Sequence, residues 1–154
     1  MPEMERHDEL LHVLTVEDNA LFRDGLKTLF DVVARQEQIG FTFDEAVSGE
    51  EAIEKVKQKD YNIIFMDYNL GSGLNGAETI IRILRLKPQI KILGFSSHTE
   101  LVLVQDMIDA GARGYLIKNF HKGELLAAVK AVLSGEIYYC RDISDMMKAR
   151  WINR

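Results

Sequence analysis

Apolar runs and stretches of helical spacing alternate along the whole chain. Residues 13–16, 62–66, 90–95 and 114–117 are mostly apolar in succession rather than in alternation, interrupted by Thr15, Asn62 and Lys91. That pattern belongs to parallel strands covered on both faces. A fifth run, 41–47, alternates more, with Phe41, Phe43, Ala46 and Val47 set around Thr42, Asp44 and Glu45. It suits an edge strand.

Between the runs, Leu21, Phe22, Leu26, Leu29, Phe30 and Val33 form one helical stripe. Ser48 with Glu51 makes a capping-box signature ahead of Ala52, Ile53 and Val56. Asn75 with Glu78 repeats it before Ile80, Ile81, Ile83 and Leu84, and Pro88 ends that segment. Thr99 opens a helix that passes through Met107 and Ile108 and stops at Gly111, and another covers 124–133, closed by Ser134-Gly135. Five β–α units in series, joined by right-handed crossovers, predict an α/β fold. Its core is a doubly wound, five-stranded parallel sheet with helices on both faces.

The polar residues then fall at one place. The first strand runs into Glu17-Asp18, the third ends at Asp67, the fourth at Ser96 and the fifth at Lys118. In open α/β sheets the ligand crevice lies outside the carboxyl ends of the strands, where the strand order reverses. All four ends would face that crevice. Three carboxylates there repel one another unless cations join them. Lys118 supplies one positive charge and a divalent ion two more. Oxygen donors without His or Cys favour Mg²⁺. A carboxylate beside Mg²⁺, Lys and a hydroxyl suits phosphoryl transfer onto aspartate.

VEDNALFR (16–23), IIFMD (63–67), GFSS (94–97) and GYLIK (114–118) resemble, in order, the motifs of CheY-like response-regulator receiver domains. The resemblance covers residues 11–135. It leaves 1–10 as an N-terminal extension and 136–154 as a C-terminal linker or extra helix. It implies a flavodoxin-like sheet of order 2-1-3-4-5, and a regulatory phosphoacceptor rather than a classical enzyme. It also implies roles: Asp67 as phosphoacceptor, Asp18 as a direct Mg²⁺ ligand, Glu17 as its partner through water, and the Asn69 backbone carbonyl completing the metal set. Ser96 matches the hydroxyl that meets the phosphoryl group, Lys118 the lysine that pairs with it, and Tyr115 the aromatic switch that rotates inward.

Two departures from the family pattern stand out. Leu70-Gly71 replaces the usual Met-Pro, and Gly76 closes the loop after Asp67 one residue late, which predicts a looser loop. Asn119 also follows Lys118 where many receivers have Pro.

Residues 124–139 and the opening VEDNALFRDGL resemble receivers of LuxR/NarL-type transcription regulators. The implied partners are a sensor histidine kinase or phosphotransfer protein and a second copy on phosphorylation. DNA would be reached only through an output domain beyond residue 154. A stand-alone receiver acting by protein contact or phosphorelay is the alternative. The tail residues Ile143, Met146, Met147, Arg150 and Trp151 share helical spacing, fitting a linker helix, a dimer contact or a helix folded back on the body.

Composition narrows the setting. The 154 residues suit one domain. The net charge of −5 is divided between −7 over residues 1–140 and +2 over the last fourteen, so the body does not grip nucleic acid itself. A single Cys140 rules out an internal disulfide, residues 1–11 show no apolar core of signal-peptide length, and no 18-residue apolar run occurs. A cytoplasmic protein away from membranes is expected. His98 and His121 read as solvated loop residues, not ligands. A haloacid-dehalogenase-type phosphatase would need its Asp after strand one, and a flavodoxin-like cofactor binder a glycine loop there. A pseudo-receiver would lack the reactive positions.

Overall fold

The computed structural model describes residues 9–97 and 102–152. The strands are β1 (Leu11–Val16), β2 (Phe41–Ala46), β3 (Ile63–Asp67), β4 (Lys91–Ser96), β5 (Gly114–Ile117) and β6 (Tyr138–Tyr139). The helices are α1 (Ala20–Gln36), α2 (Gly49–Gln58), α3 (Gly76–Leu86), α4 (Val104–Ala110), α5 (Lys122–Leu133) and α6 (Arg141–Ile152). The strands form one parallel sheet of order β2-β1-β3-β4-β5-β6. The doubly wound order is as expected, but the sheet has six strands rather than five. β6 is too short to leave a periodic signature.

Burial follows the apolar runs. β3 is buried at every position, whereas β2 is half-buried along most of its length, as an edge requires. Phe30 of α1 anchors one face by packing against Phe41, Phe43 and Phe65, at centroid distances of 5.0, 5.8 and 5.9 Å. α1 lies beside α5, while α2, α3 and α4 neighbour one another in turn.

Caps explain the helix starts near the crevice. Asn19 accepts from the Phe22 N–H and starts α1 one residue before its apolar stripe. Asn75 and Glu78 form a complete capping box on α3. At α2 the box is only half made: Ser48 accepts from the Glu51 N–H, but the Glu51 carboxylate reaches past it to the Val47 N–H. His121 caps α5, its Nδ1 accepting from Gly123 and Glu124, so this histidine is a helix terminus as well as an exposed residue. α4 starts at Val104 with no side-chain cap, later than the sequence predicts. The predicted cap Thr99, like His98, lies outside the described residues.

The tail joins the body. Ile143 of α6 is fully buried, and Met146 and Met147 pack against the core, as a helix folded back would do. The side chains of Arg150 and Trp151 lie outside the described residues.

Candidate functional site

The order reverses between β1 and β3, and their carboxyl ends deliver Glu17 and Asp67 side by side, each about 1% exposed. β5 delivers Lys118 opposite them. Its Nζ stands 3.1 Å from Glu17 Oε2 and 3.1 Å from Asp67 Oδ2. The ammonium is also fixed from the side by the rings of Phe22 and Phe95, 4.9 and 5.7 Å from Nζ to the centroids. Those rings contact each other at 5.0 Å. Sequence reasoning placed Phe22 in the core stripe and missed this second role. Phe22 and Phe95 stand far from Lys118 along the chain, so no local pattern marked the contact.

Glu17 is held at both ends. Its Oε1 accepts from the Asn19 N–H at 3.0 Å, and its carbonyl accepts from the Arg23 guanidinium at 2.7 Å. Asp18 is exposed beside it. One carboxylate oxygen from each of Glu17, Asp18 and Asp67 lies within 4.8 Å of the others. Burial raises the Glu17 carboxyl from 4.5 to about 8, and the adjoining Asp67 carboxyl adds to the rise. Desolvation works against the charge of Lys118, but Asp67 and then Glu17 outweigh it and raise its pKa, so the ammonium persists.

Without metal, then, Glu17 carries a proton near neutral pH that the unfolded chain gives up. That contribution to stability is full below pH 4.5 and is lost as pH rises toward 8. Urea unfolding in a chelator is expected to show lower stability at pH 8 than at pH 6. Glu17→Gln should flatten this slope; an equally steep slope in that variant would assign the effect elsewhere.

Three polar atoms of Glu17, Asp67 and Ser96 are buried with no hydrogen-bond partner among the described residues: Asp67 Oδ1, Ser96 Oγ and Glu17 Oε2, the last of which is ion-paired with Lys118. A buried acceptor and a buried hydroxyl without partners are costly unless a ligand completes them. The all-carboxylate donor set and the free Asp67 oxygen fit a hard divalent cation.

The loop after Asp67 is anchored rather than loose. The Gly76 N–H donates to the Tyr68 carbonyl at 2.7 Å, and Leu70 is buried. The Glu50 carboxylate of α2 receives the Leu74 N–H at 3.3 Å. It lies against Gly73, whose φ of +89° and missing Cβ make room for it. The longer loop therefore spends its extra glycine on passing beneath Glu50. Asn69 is exposed on this loop and accepts from the Gly71 N–H at 3.4 Å through its side chain. The Lys118–Asn119 peptide is trans. Tyr115 is wholly buried, its ring laid against Gly94 of β4. Of the residues predicted from sequence, Glu17, Asp18, Asp67 and Lys118 are thus brought together, while Tyr115 sits on β5 against Gly94.

Residues 13–130 match the response regulator receiver domain family. The chain belongs to that family. The receiver is 38% identical over 126 residues to the transcriptional activator protein ExaE of Pseudomonas putida, covering 82% of this chain and 56% of that protein. It is 30% identical over 138 residues to the response regulator UvrY of Escherichia coli K12, covering 90% of this chain and 61% of the relative. The receiver thus spans a little over half the length of these relatives. Its fold matches a LuxR-family two-component response regulator from Aurantimonas sp. SI85-9A1 with a TM-score of 0.81 and 25% identity. That match covers 94% of this chain and 99% of the other. A CheY-like receiver from Methanospirillum hungatei shares the fold at a TM-score of 0.70. Among the described residues no helix is long and apolar enough to cross a membrane.

Proposed function

We propose that Asp67 accepts a phosphoryl group from a sensor histidine kinase or phosphotransfer protein. The observation that carries this reading is the split environment of its carboxylate. Oδ2 is paired with Lys118, while buried Oδ1 has no hydrogen-bond partner among the described residues, and neither does the nearby Ser96 hydroxyl. An oxygen of Asp67 attacks phosphorus, and the bond from phosphorus to the donor's nitrogen or oxygen breaks with its electron pair leaving on the donor. The product is an acyl phosphate. Lys118 stays protonated and neutralises charge on the transferring group, and Ser96 Oγ donates to one of its oxygens. Glu17 and Asp18, with Asp67 and the Asn69 carbonyl, would hold Mg²⁺, which supplies further charge neutralisation when bound.

Similarity to ExaE, a named transcriptional activator, and to a LuxR-family regulator supports a transcriptional output through a DNA-binding domain. Phosphorylation would promote pairing with a second copy. The acidic body of the receiver supports a role by protein contact rather than by holding DNA itself.

Incubation with Mg²⁺ and acetyl phosphate, followed by intact-mass measurement, is the test. One phosphate is expected on the unaltered chain and none on Asp67→Asn. No added phosphate on the unaltered chain, or equal addition to the variant, overturns the assignment. Omitting Mg²⁺ in excess chelator is expected to suppress the reaction as completely as the substitution does.

A further inference from the structure

The turn between β1 and α1 carries two of the three crevice carboxylates, and one arginine holds it. The Glu17 N–H still belongs to the sheet, donating to the Ala46 carbonyl at 3.1 Å. By the β1–β2 register its carbonyl would accept from residue 48. There the chain has already turned into the Ser48 cap of α2. Arg23 of α1 supplies the donor instead, its Nη1 reaching the Glu17 carbonyl at 2.7 Å. The Arg23 backbone N–H meanwhile donates to the Asn19 carbonyl at 3.1 Å, so one residue grips both ends of the turn.

Between those two grips stands Asp18. Its exposed carboxylate has no hydrogen bond or ion pair among the described residues, so the backbone of the turn alone aims it. One of its oxygens still comes within 4.8 Å of oxygens of Glu17 and Asp67. Arg23 is itself fixed from behind. Its Nε stands 3.7 Å from Glu45 Oε1 at the end of β2, an ion pair too long for a hydrogen bond. Both atoms are buried, and neither has a hydrogen-bond partner among the described residues. The guanidinium thus ties α1 to the ends of β1 and β2, with 15% of its side chain exposed.

We propose that Arg23 is a positioning residue for the divalent cation. By clamping the Glu17 carbonyl it fixes the turn that aims Asp18 at Asp67, and Glu45 keeps the clamp in place. This rests on the crevice being a Mg²⁺-dependent phosphoacceptor site. Arg23 acts through Glu17 and Asp18, not on the reacting atoms. Charge alone argues the other way. A guanidinium beside carboxylates competes with a cation for them, so electrostatics by itself would make its removal tighten Mg²⁺ binding. Loss of the clamp weakens binding instead, because outer partners that orient metal ligands are worth about 10- to 100-fold in affinity. The sign of the change therefore separates geometry from charge.

The Mg²⁺ dissociation constant is read without any phosphodonor, from the Mg²⁺-dependent rise in melting temperature. Arg23→Met, which keeps the apolar stem and drops the donors, is expected to raise it about tenfold. Arg23→Lys keeps the charge but cannot serve the carbonyl and Glu45 from one planar fork, and a rise of about threefold or more is expected. Phosphorylation by acetyl phosphate then separates binding from chemistry. At saturating Mg²⁺ the rate of each variant should return to within about threefold of the unaltered chain. Unchanged or tighter Mg²⁺ binding in either variant overturns the clamp, and so does a loss of rate that saturating Mg²⁺ does not restore. Should Arg23→Met fail to fold, Arg23→Lys decides alone. Intact mass keeps the two readings apart. An unaltered chain that binds Mg²⁺ but gains no phosphate overturns Asp67 as phosphoacceptor, while the dissociation constants still decide the role of Arg23. No Mg²⁺-dependent rise in the unaltered chain overturns the clamp together with the metal site.

Discussion

Replacing Lys118 by alanine is expected to slow phosphorylation of Asp67 by acetyl phosphate about 100- to 1,000-fold, the cost of removing one preorganised charge from a shielded site. The ammonium touches both buried carboxylates at 3.1 Å and is clasped by Phe22 and Phe95, so no water replaces it at equal strength. Mg²⁺ is expected to bind the variant at least as tightly, because the carboxylates lose a competing cation. Initial rates followed by intact mass, paired with Mg²⁺-dependent shifts in melting temperature, give both quantities. A variant that takes up phosphate at the unaltered rate would remove Lys118 from the chemistry. Loss of rate accompanied by loss of Mg²⁺ binding would instead show that the lysine shapes the metal site.

Gly76→Ala is expected to destabilise the fold by about 3 kcal/mol, at the upper end for overpacking. The added Cβ would strike the Asp67 carbonyl oxygen and come within 2.8 Å of the Tyr68 Cα, both of them backbone. A clash with a flexible side chain can relax, but this one moves either the end of β3 or the first turn of α3. Thermal unfolding should shift down by about 6–12 °C for a chain of this size. Because the strain falls on Asp67 itself, phosphorylation should slow even in the fraction that stays folded. An unfolding midpoint within a degree of the unaltered chain would mean that α3 can slide away freely, which its complete capping box opposes.

The strand ends were legible because parallel strands bury both faces, so a polar residue closing an apolar run is conspicuous at positions 17, 67, 96 and 118. The Asn75 capping box was legible for the same local reason, since its donors and acceptors sit three residues apart. What escaped depended on distant partners. Ser48 and Glu51 fit the box signature, yet the Glu51 carboxylate bonds to Val47, a choice set by where β2 ends. His121 caps α5 although histidine is not among the usual capping residues. The glycines after Asp67 suggested slack, and the contact that Glu50 makes from α2 with this loop left no local mark in the sequence. β6 is two residues long, and only the free edge of β5 gives it a place to pair.

That edge bears on self-association. A parallel sheet ending at β5 would present a row of unsatisfied N–H and C=O groups beside an apolar margin, a template for pairing with a neighbouring molecule. Tyr138 and Cys140 occupy those groups, and α6 lays Ile143 over the margin. A polypeptide cut at residue 135, where the helical pattern of α5 closes, would keep the entire phosphoryl crevice and still uncover an adhesive border. The last strand and helix thus serve the receiver as a selvedge, the woven edge that keeps a fabric from unravelling into its neighbours.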